Sequence, residues 1–191
     1  MKPGDESKRH GLRLIRGGLD RERPESDLPC VVVGREEHPP FAVDALVLED
    51  DTYFVLSASP EVQDPAEPSL RLWNEVHETE PAVPGEAVVR GGTPPRISAV
   101  VHDLSQDPTW TEQWGALALV ASLRRAEEHG FRSLGLQPLG CIHGRLAPEC
   151  FPPLLRMALD VAEPRHLQRI WLIGDPGLFD LTPLGDGDRT E

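Results

Sequence analysis

Between residues 85 and 174 the chain alternates short apolar runs with longer amphipathic ones, and Gly or Pro marks each change of period. Ile97-Ser98-Ala99-Val100-Val101 predicts a buried strand, with His102 and Asp103 at its C-terminal end. Asp107-Pro108-Thr109 then predicts a helix start: Pro108 suits the first helical position, and Thr109 with Glu112 has the spacing of a capping box. That helix is expected to run to His129 and to stop at Gly130, which accepts the left-handed conformation. Ser133-Leu134-Gly135-Leu136 restarts a strand, and Gly140-Cys141-Ile142-His143-Gly144 follows as a glycine-containing loop. A second helix is predicted over 148–161 and a last strand over 168–173. Strand, helix, strand, loop, helix, strand is the order of an α/β sandwich with a largely parallel sheet.

Upstream of this block the pattern is mostly extended. Residues 29–34 (PCVVVG) form an apolar, β-branched run and predict a strand. Residues 41–48 (FAVDALVL) are nearly continuous in apolar character, as an interior parallel strand is. Asp44 interrupts that run and must lie near its end or find a partner. Glu49-Asp50-Asp51 reads as a turn, and 52–56 (TYFVL) as a third β-like run; a hairpin at Asp50-Asp51 would make part of the sheet antiparallel. The stretch 57–84 is rich in Pro and Glu, and within it 69–78 predicts about three helical turns, with Leu70, Trp73 and His77 on one face.

The ends differ from the middle. Residues 1–28 mix charges of both signs with Gly and Pro and are expected to be a flexible arm, in which Leu12, Leu14 and Ile15 offer at most a short edge strand. Residues 29–174 form the predicted domain and 175–191 a tail, with Leu178, Phe179 and Leu181 expected to pin its first half.

Composition narrows the function classes. Of 191 residues, 39% are hydrophobic and only 5% aromatic, so the core must consist mainly of Leu, Val, Ile and Ala. No apolar run reaches the roughly 20 residues of a membrane span, and the polar N-terminus does not read as a secretory signal. Three cysteines, Cys30, Cys141 and Cys150, form no disulfide framework and suit a reducing cytoplasm. The formal net charge is −13, and residues 29–191 hold twelve basic and twenty-six acidic residues, with no Lys. Sequence-independent binding to nucleic acid needs the opposite sign, so neither nucleic acid nor membrane is an expected partner. An Arg can still grip a phosphorylated small molecule.

The order of these segments resembles macro domains. Val43-Asp44-Ala45-Leu46-Val47 is similar to the family's "VDAIV" strand, and 85–104 to its hairpin and following strand, with His102 in the matching place. Residues 114–130 resemble the family's long helix, and 133–155 its strand, phosphate loop and next helix. The resemblance spans about 29–174 and implies a three-layer α/β/α sandwich with a mixed, mostly parallel sheet. It further implies binding of ADP-ribose or a related phosphorylated nucleotide metabolite. Gly140, Cys141, Ile142, His143, Gly144 and Arg145 stand where the family's second phosphate loop stands, Glu36 lies near its adenine contact, and Asp44 belongs to its first motif strand; the resemblance makes all of them expected ligand-binding residues. Glycines there turn backbone N–H groups toward an anion, and Arg145 supplies a phosphate partner.

The chain also departs from the family. Leu48-Glu49-Asp50-Asp51 replaces the Asn-containing motif, and no glycine occurs from Val47 to Pro84, where the first glycine-rich loop would be. ADP-ribosyl hydrolysis is therefore not expected, and neither catalytic residue, cofactor nor metal is assigned. Cys141, His143 and Cys150 have zinc-like chemistry, but their spacing matches no standard finger. Cys141 with His143 or His102 is a second alternative, a nucleophilic pair at strand ends. Two functions stay open: a macro-like module for an ADP-ribose-like molecule, or a degenerate scaffold that binds a protein partner without a small ligand.

Overall fold

The computed structural model describes residues 28–56 and 80–179. The expectations for residues 1–27, for the helix at 69–78 and for the tail beyond Phe179 lie outside these residues.

Six strands form one sheet. They are β1 (Cys30–Gly34), β2 (Ala45–Asp51), β3 (Ala87–Arg90), β4 (Arg96–His102), β5 (Ser133–Leu136) and β6 (Arg169–Ile173), in the spatial order β1-β6-β5-β2-β4-β3. Every neighbouring pair is parallel except β3 with β4, which is antiparallel. The C-terminal ends of the five parallel strands therefore share one edge, where open α/β sheets carry their sites.

Among the described residues two α-helices follow from the apolar periodicity. Helix α1 (Glu112–Glu128) buries Gly115, Ala118, Leu119, Ser122, Leu123 and Ala126, a stripe at three- and four-residue spacing. Helix α2 (Phe151–Ala162) is preceded by a 3₁₀ turn over Pro148–Cys150 and buries Phe151, Leu154, Leu155, Ala158 and Leu159. The steps from β4 to β5 and from β5 to β6 cross the sheet in the same direction, so right-handed crossovers put both helices on one face. They pack against each other there. The core between helices and sheet is aliphatic, with Ile97, Leu119, Leu123, Leu134, Leu155, Leu159, Ile170 and Leu172 all essentially inaccessible.

The mixed, mostly parallel α/β sheet is the one the pattern predicts, and β1, β4, β5 and β6 fall where expected. Three local expectations are corrected. The second strand does not cover 41–48 but Ala45–Asp51, so the supposed turn at Glu49-Asp50-Asp51 is strand, with all three acidic residues buried. Each carboxylate has donors. Asp51 accepts the N–H of Tyr53, Val55 and Leu56 at 2.7–2.9 Å, which curls 52–56 into a turn in place of the predicted strand. Helix α1 starts later than Pro108: the hydroxyl of Thr111, not Thr109, accepts from Trp114 N at 3.2 Å. The backbone before it is already committed, because Asp103 N donates to Thr109 O and His102 bridges to Trp110. Its C-terminal end is as expected, with Gly130 at φ +67°. In the tail, Phe179 is buried and meets Phe151 edge-on at 6.5 Å, whereas Leu178 is exposed.

Candidate functional site

The loop at 140–145 leaves the C-terminal edge of the sheet just beyond β5 and ends before the 3₁₀ turn. Its shape is set from within. Gly140 adopts φ +83°, and the Trp110 ring lies so close that a Cβ there would stand 2.8 Å from it. Gly144 folds back on Gly140, where a Cβ would overlap the Gly140 carbonyl oxygen. Leu146 N donates to that same carbonyl at 3.0 Å and closes the loop. Both glycines are thus required by close backbone approach and, at Gly140, by the left-handed conformation.

Behind the loop stands Glu49, whose side chain is fully buried near the end of β2. Its carboxylate accepts the N–H of Gly140 at 2.8 Å and of His143 at 3.2 Å. It also lies 2.5 Å from His102 Nε2 at the end of β4. A carboxylate only accepts, so Nε2 carries the hydrogen. Gln137 fixes the Glu49 backbone, its Oε1 accepting Glu49 N at 3.0 Å. The His143 ring stands edge-on to His102, 6.2 Å away, and is exposed.

Away from Glu49, Ile142 of the loop is about half exposed. Among the described residues nothing accepts from the N–H of Ile142, Gly144 or Arg145. Arg145 is exposed beside them. Unpaired N–H groups on a glycine loop are donors for an anion. A buried donor, the indole N–H of Trp110, also has no acceptor among the described residues.

The predicted site residues do not all meet. Gly140, Cys141, Ile142, His143, Gly144 and Arg145 form the one loop. Glu36 lies at the same sheet edge in a separate open depression of about 640 Å³, lined with Arg35, Glu37, His38, Ile173, Gly174 and Asp175. Across it Arg35 pairs with Asp175 at 2.8 Å. Asp44 is at the opposite end of the sheet, before β2, where Arg132 N and Ser133 N donate to its carboxylate at 2.8 and 2.9 Å. It ties the entries of β2 and β5 there and stands apart from the loop, because parallel pairing of β2 with β5 keeps a residue before β2 away from a loop after β5.

Cys141 is no activated nucleophile. Burial pushes its thiol up to about 11, with the charges of Glu49, of Cys150 and of Glu149 adding to the shift. It stays protonated at neutral pH and cannot attack as thiolate. Among the described residues no group of three or more His, Cys, Asp or Glu is arranged to hold a metal. No helix among them is long and apolar enough to cross a membrane. His102 has a structural role in the Glu49 contact, and Asp103 beside it caps the next turn through Ser105 N at 2.9 Å.

Glu49 is the residue that sequence reasoning missed. The signal for Glu49 was an acidic residue directly continuing a buried parallel strand.

No protein-family model matches the chain, and no curated protein matches it in sequence. Solved structures match it in shape. The macrodomain of Thermus aquaticus DarG aligns with a TM-score of 0.55 at 20% identity, over 77% of this chain and 99% of that one. The macrodomain of Mycobacterium tuberculosis DarG gives 0.56 at 17%, over 77% and 99%. A mutant Oceanobacillus iheyensis macrodomain with ADPR gives 0.53 at 14%, over 76% and 84%. The fold is macro-like.

Proposed function

We propose that this chain, built on a macro-like fold, binds ADP-ribose or a related phosphorylated nucleotide metabolite through residues 140–145 and does not turn it over. The observation that carries this reading is the row of N–H groups at Ile142, Gly144 and Arg145, which has no acceptor among the described residues. A diphosphate matches them in charge and hydrogen-bonding capacity, and the Arg145 guanidinium adds a bidentate partner. The mutant Oceanobacillus iheyensis macrodomain with ADPR supports the ligand class. The non-catalytic part rests on the absent Asn motif and on the protonated Cys141 thiol. The depression at Glu36 then takes the far end of the ligand, its carboxylate accepting from an exocyclic amine.

A thermal-shift series with ADP-ribose, AMP, ADP and inorganic phosphate tests this. ADP-ribose at about a hundred times its Kd raises stability by about 2.7 kcal/mol. The gain is lost in Arg145→Ala, whose side chain is exposed and whose removal leaves the fold intact. No shift with any of these ligands overturns the reading. A protein-binding role is then favoured, because Val55, Leu104, Ile142 and Leu178 are each about half exposed and each follow a strand at the same sheet edge. In that case Leu104→Ser and Ile142→Ser reduce association with a partner.

A further inference from the structure

The closure by Leu146 N sets the course of the 140–145 loop, but the buried N–H groups on its inner side still need acceptors. In this chain an acceptor is built in. Glu49 meets the loop from the sheet side and takes Gly140 N and His143 N with its two carboxylate oxygens, Oε2 and Oε1. His102 Nε2 holds Oε1 from the other side at 2.5 Å, and Gln137 holds the backbone that carries it. The carboxylate is therefore fixed in position by two neighbouring strands and the segment after β5. The N–H groups of Gly140 and His143 are taken by Glu49, and those of Ile142, Gly144 and Arg145 are left without a partner among the described residues.

We infer that Glu49 is the positioning residue of the anion site: its carboxylate, clamped by His102, holds the 140–145 loop in its binding shape before any ligand arrives. This rests on the function proposed above and adds to it the residue that preorganises the site. Preorganisation raises affinity by removing the ordering cost from the binding step. A rival expectation follows from charge alone. A buried carboxylate behind an anion site repels the ligand, so a purely electrostatic Glu49 would weaken binding and its neutralisation would strengthen it. The geometry favours positioning, because both oxygens are bonded to the loop itself.

The test compares Glu49→Gln, Glu49→Ala and a destabilised control, Leu123→Ala, whose side chain is buried in the core under α1 and belongs to neither the loop nor the Glu49 contacts. Glu49→Gln keeps one acceptor oxygen and places a donor where the other stood, so it releases one loop N–H. ADP-ribose affinity by calorimetry is expected to fall about tenfold in Glu49→Gln and further in Glu49→Ala, the scale of a lost hydrogen bond to a charged group. The amide proton resonances of Gly140 and His143 are expected to move upfield and their exchange to quicken. Leu123→Ala lowers the melting temperature while leaving affinity and both resonances unchanged. Equal or tighter binding by Glu49→Gln overturns the inference, as do unmoved resonances of Gly140 and His143. If Glu49→Ala does not fold, Glu49→Gln alone decides. Wild-type protein that binds none of the ligands overturns the function itself, which is a different result from wild-type binding that Glu49→Gln leaves intact.

Discussion

At the scale of single residues, neither of the two loop glycines admits a side chain. A methyl group at Gly140 meets both the left-handed backbone, φ +83°, and the Trp110 ring at 2.8 Å. At Gly144 it meets backbone, which has no rotamer to move out of the way. Gly140→Ala and Gly144→Ala are each expected to lower stability by about 1–3 kcal/mol, the usual range for overpacking with backbone strain. Gly115 provides the contrast. It lies inside α1 with nothing within 4 Å of a built Cβ, so Gly115→Ala is expected to stabilise by up to about 1 kcal/mol through helix propensity. Urea melts of the three variants check this, and a stabilising Gly144→Ala is the outcome that contradicts the loop geometry.

At the scale of elements, β2 shows what a hydrophobic pattern conveys and what it leaves out. Its apolar half was legible, because Ala45 and Val47 are buried between parallel neighbours. Its acidic half was not, because charge at the end of an apolar run ordinarily signals a turn. Glu49 is held in the strand by distant N–H groups of the 140–145 loop, whereas Asp51 takes the N–H groups of the residues just after it, Tyr53, Val55 and Leu56. The partners of Glu49 are set by tertiary structure and leave no local mark. The glycines and Arg145 made the site's outer face legible, whereas its inner support was hidden for the same reason. The start of α1 was missed for a nearer reason: Pro108 signals a helix entry, but the carbonyl of Thr109 is already taken by the N–H of Asp103 just upstream. Asp44 is a further long-range tie, joining the entry of β2 to that of β5. Burial alone would raise its pKa, but the N–H groups of Arg132 and Ser133 and the Ser133 hydroxyl more than offset this and hold it below the ordinary carboxylate value. The unfolded chain therefore takes up this proton more readily than the folded one. The contribution of Asp44 is present above the unfolded pKa of about 3.9 and is lost as pH falls through the lower folded value. Asp44→Asn is expected to be less stable than wild type at pH 6, with the gap closing toward pH 3. A gap that stays constant across urea melts over this range would show that the charge of Asp44 contributes nothing.

At the scale of the whole molecule, the proposed ligand and its binder carry the same sign. The formal charge is −13, and within 29–191 acidic residues outnumber basic ones by twenty-six to twelve, yet the loop offers N–H donors and Arg145 to a diphosphate. The two effects act over different distances. Repulsion from the net charge extends across the solvent and is screened by salt, with a Debye length of about 10 Å at 0.1 M. The N–H and guanidinium contacts act within hydrogen-bond range and are screened far less once water is displaced. Association of ADP-ribose should therefore speed up as salt is raised, the reverse of the behaviour of a binder that steers its anion with a basic surface. Between about 20 and about 200 mM NaCl the on-rate is expected to rise about twofold, with the off-rate changing less. Stopped-flow measurement with a fluorescent ADP-ribose analogue separates the two rates. An on-rate that falls with salt would mean that a positive local field dominates at the mouth of the site, and the approach of the ligand would then have to be assigned to Arg35 and Arg145 in place of the short-range loop donors.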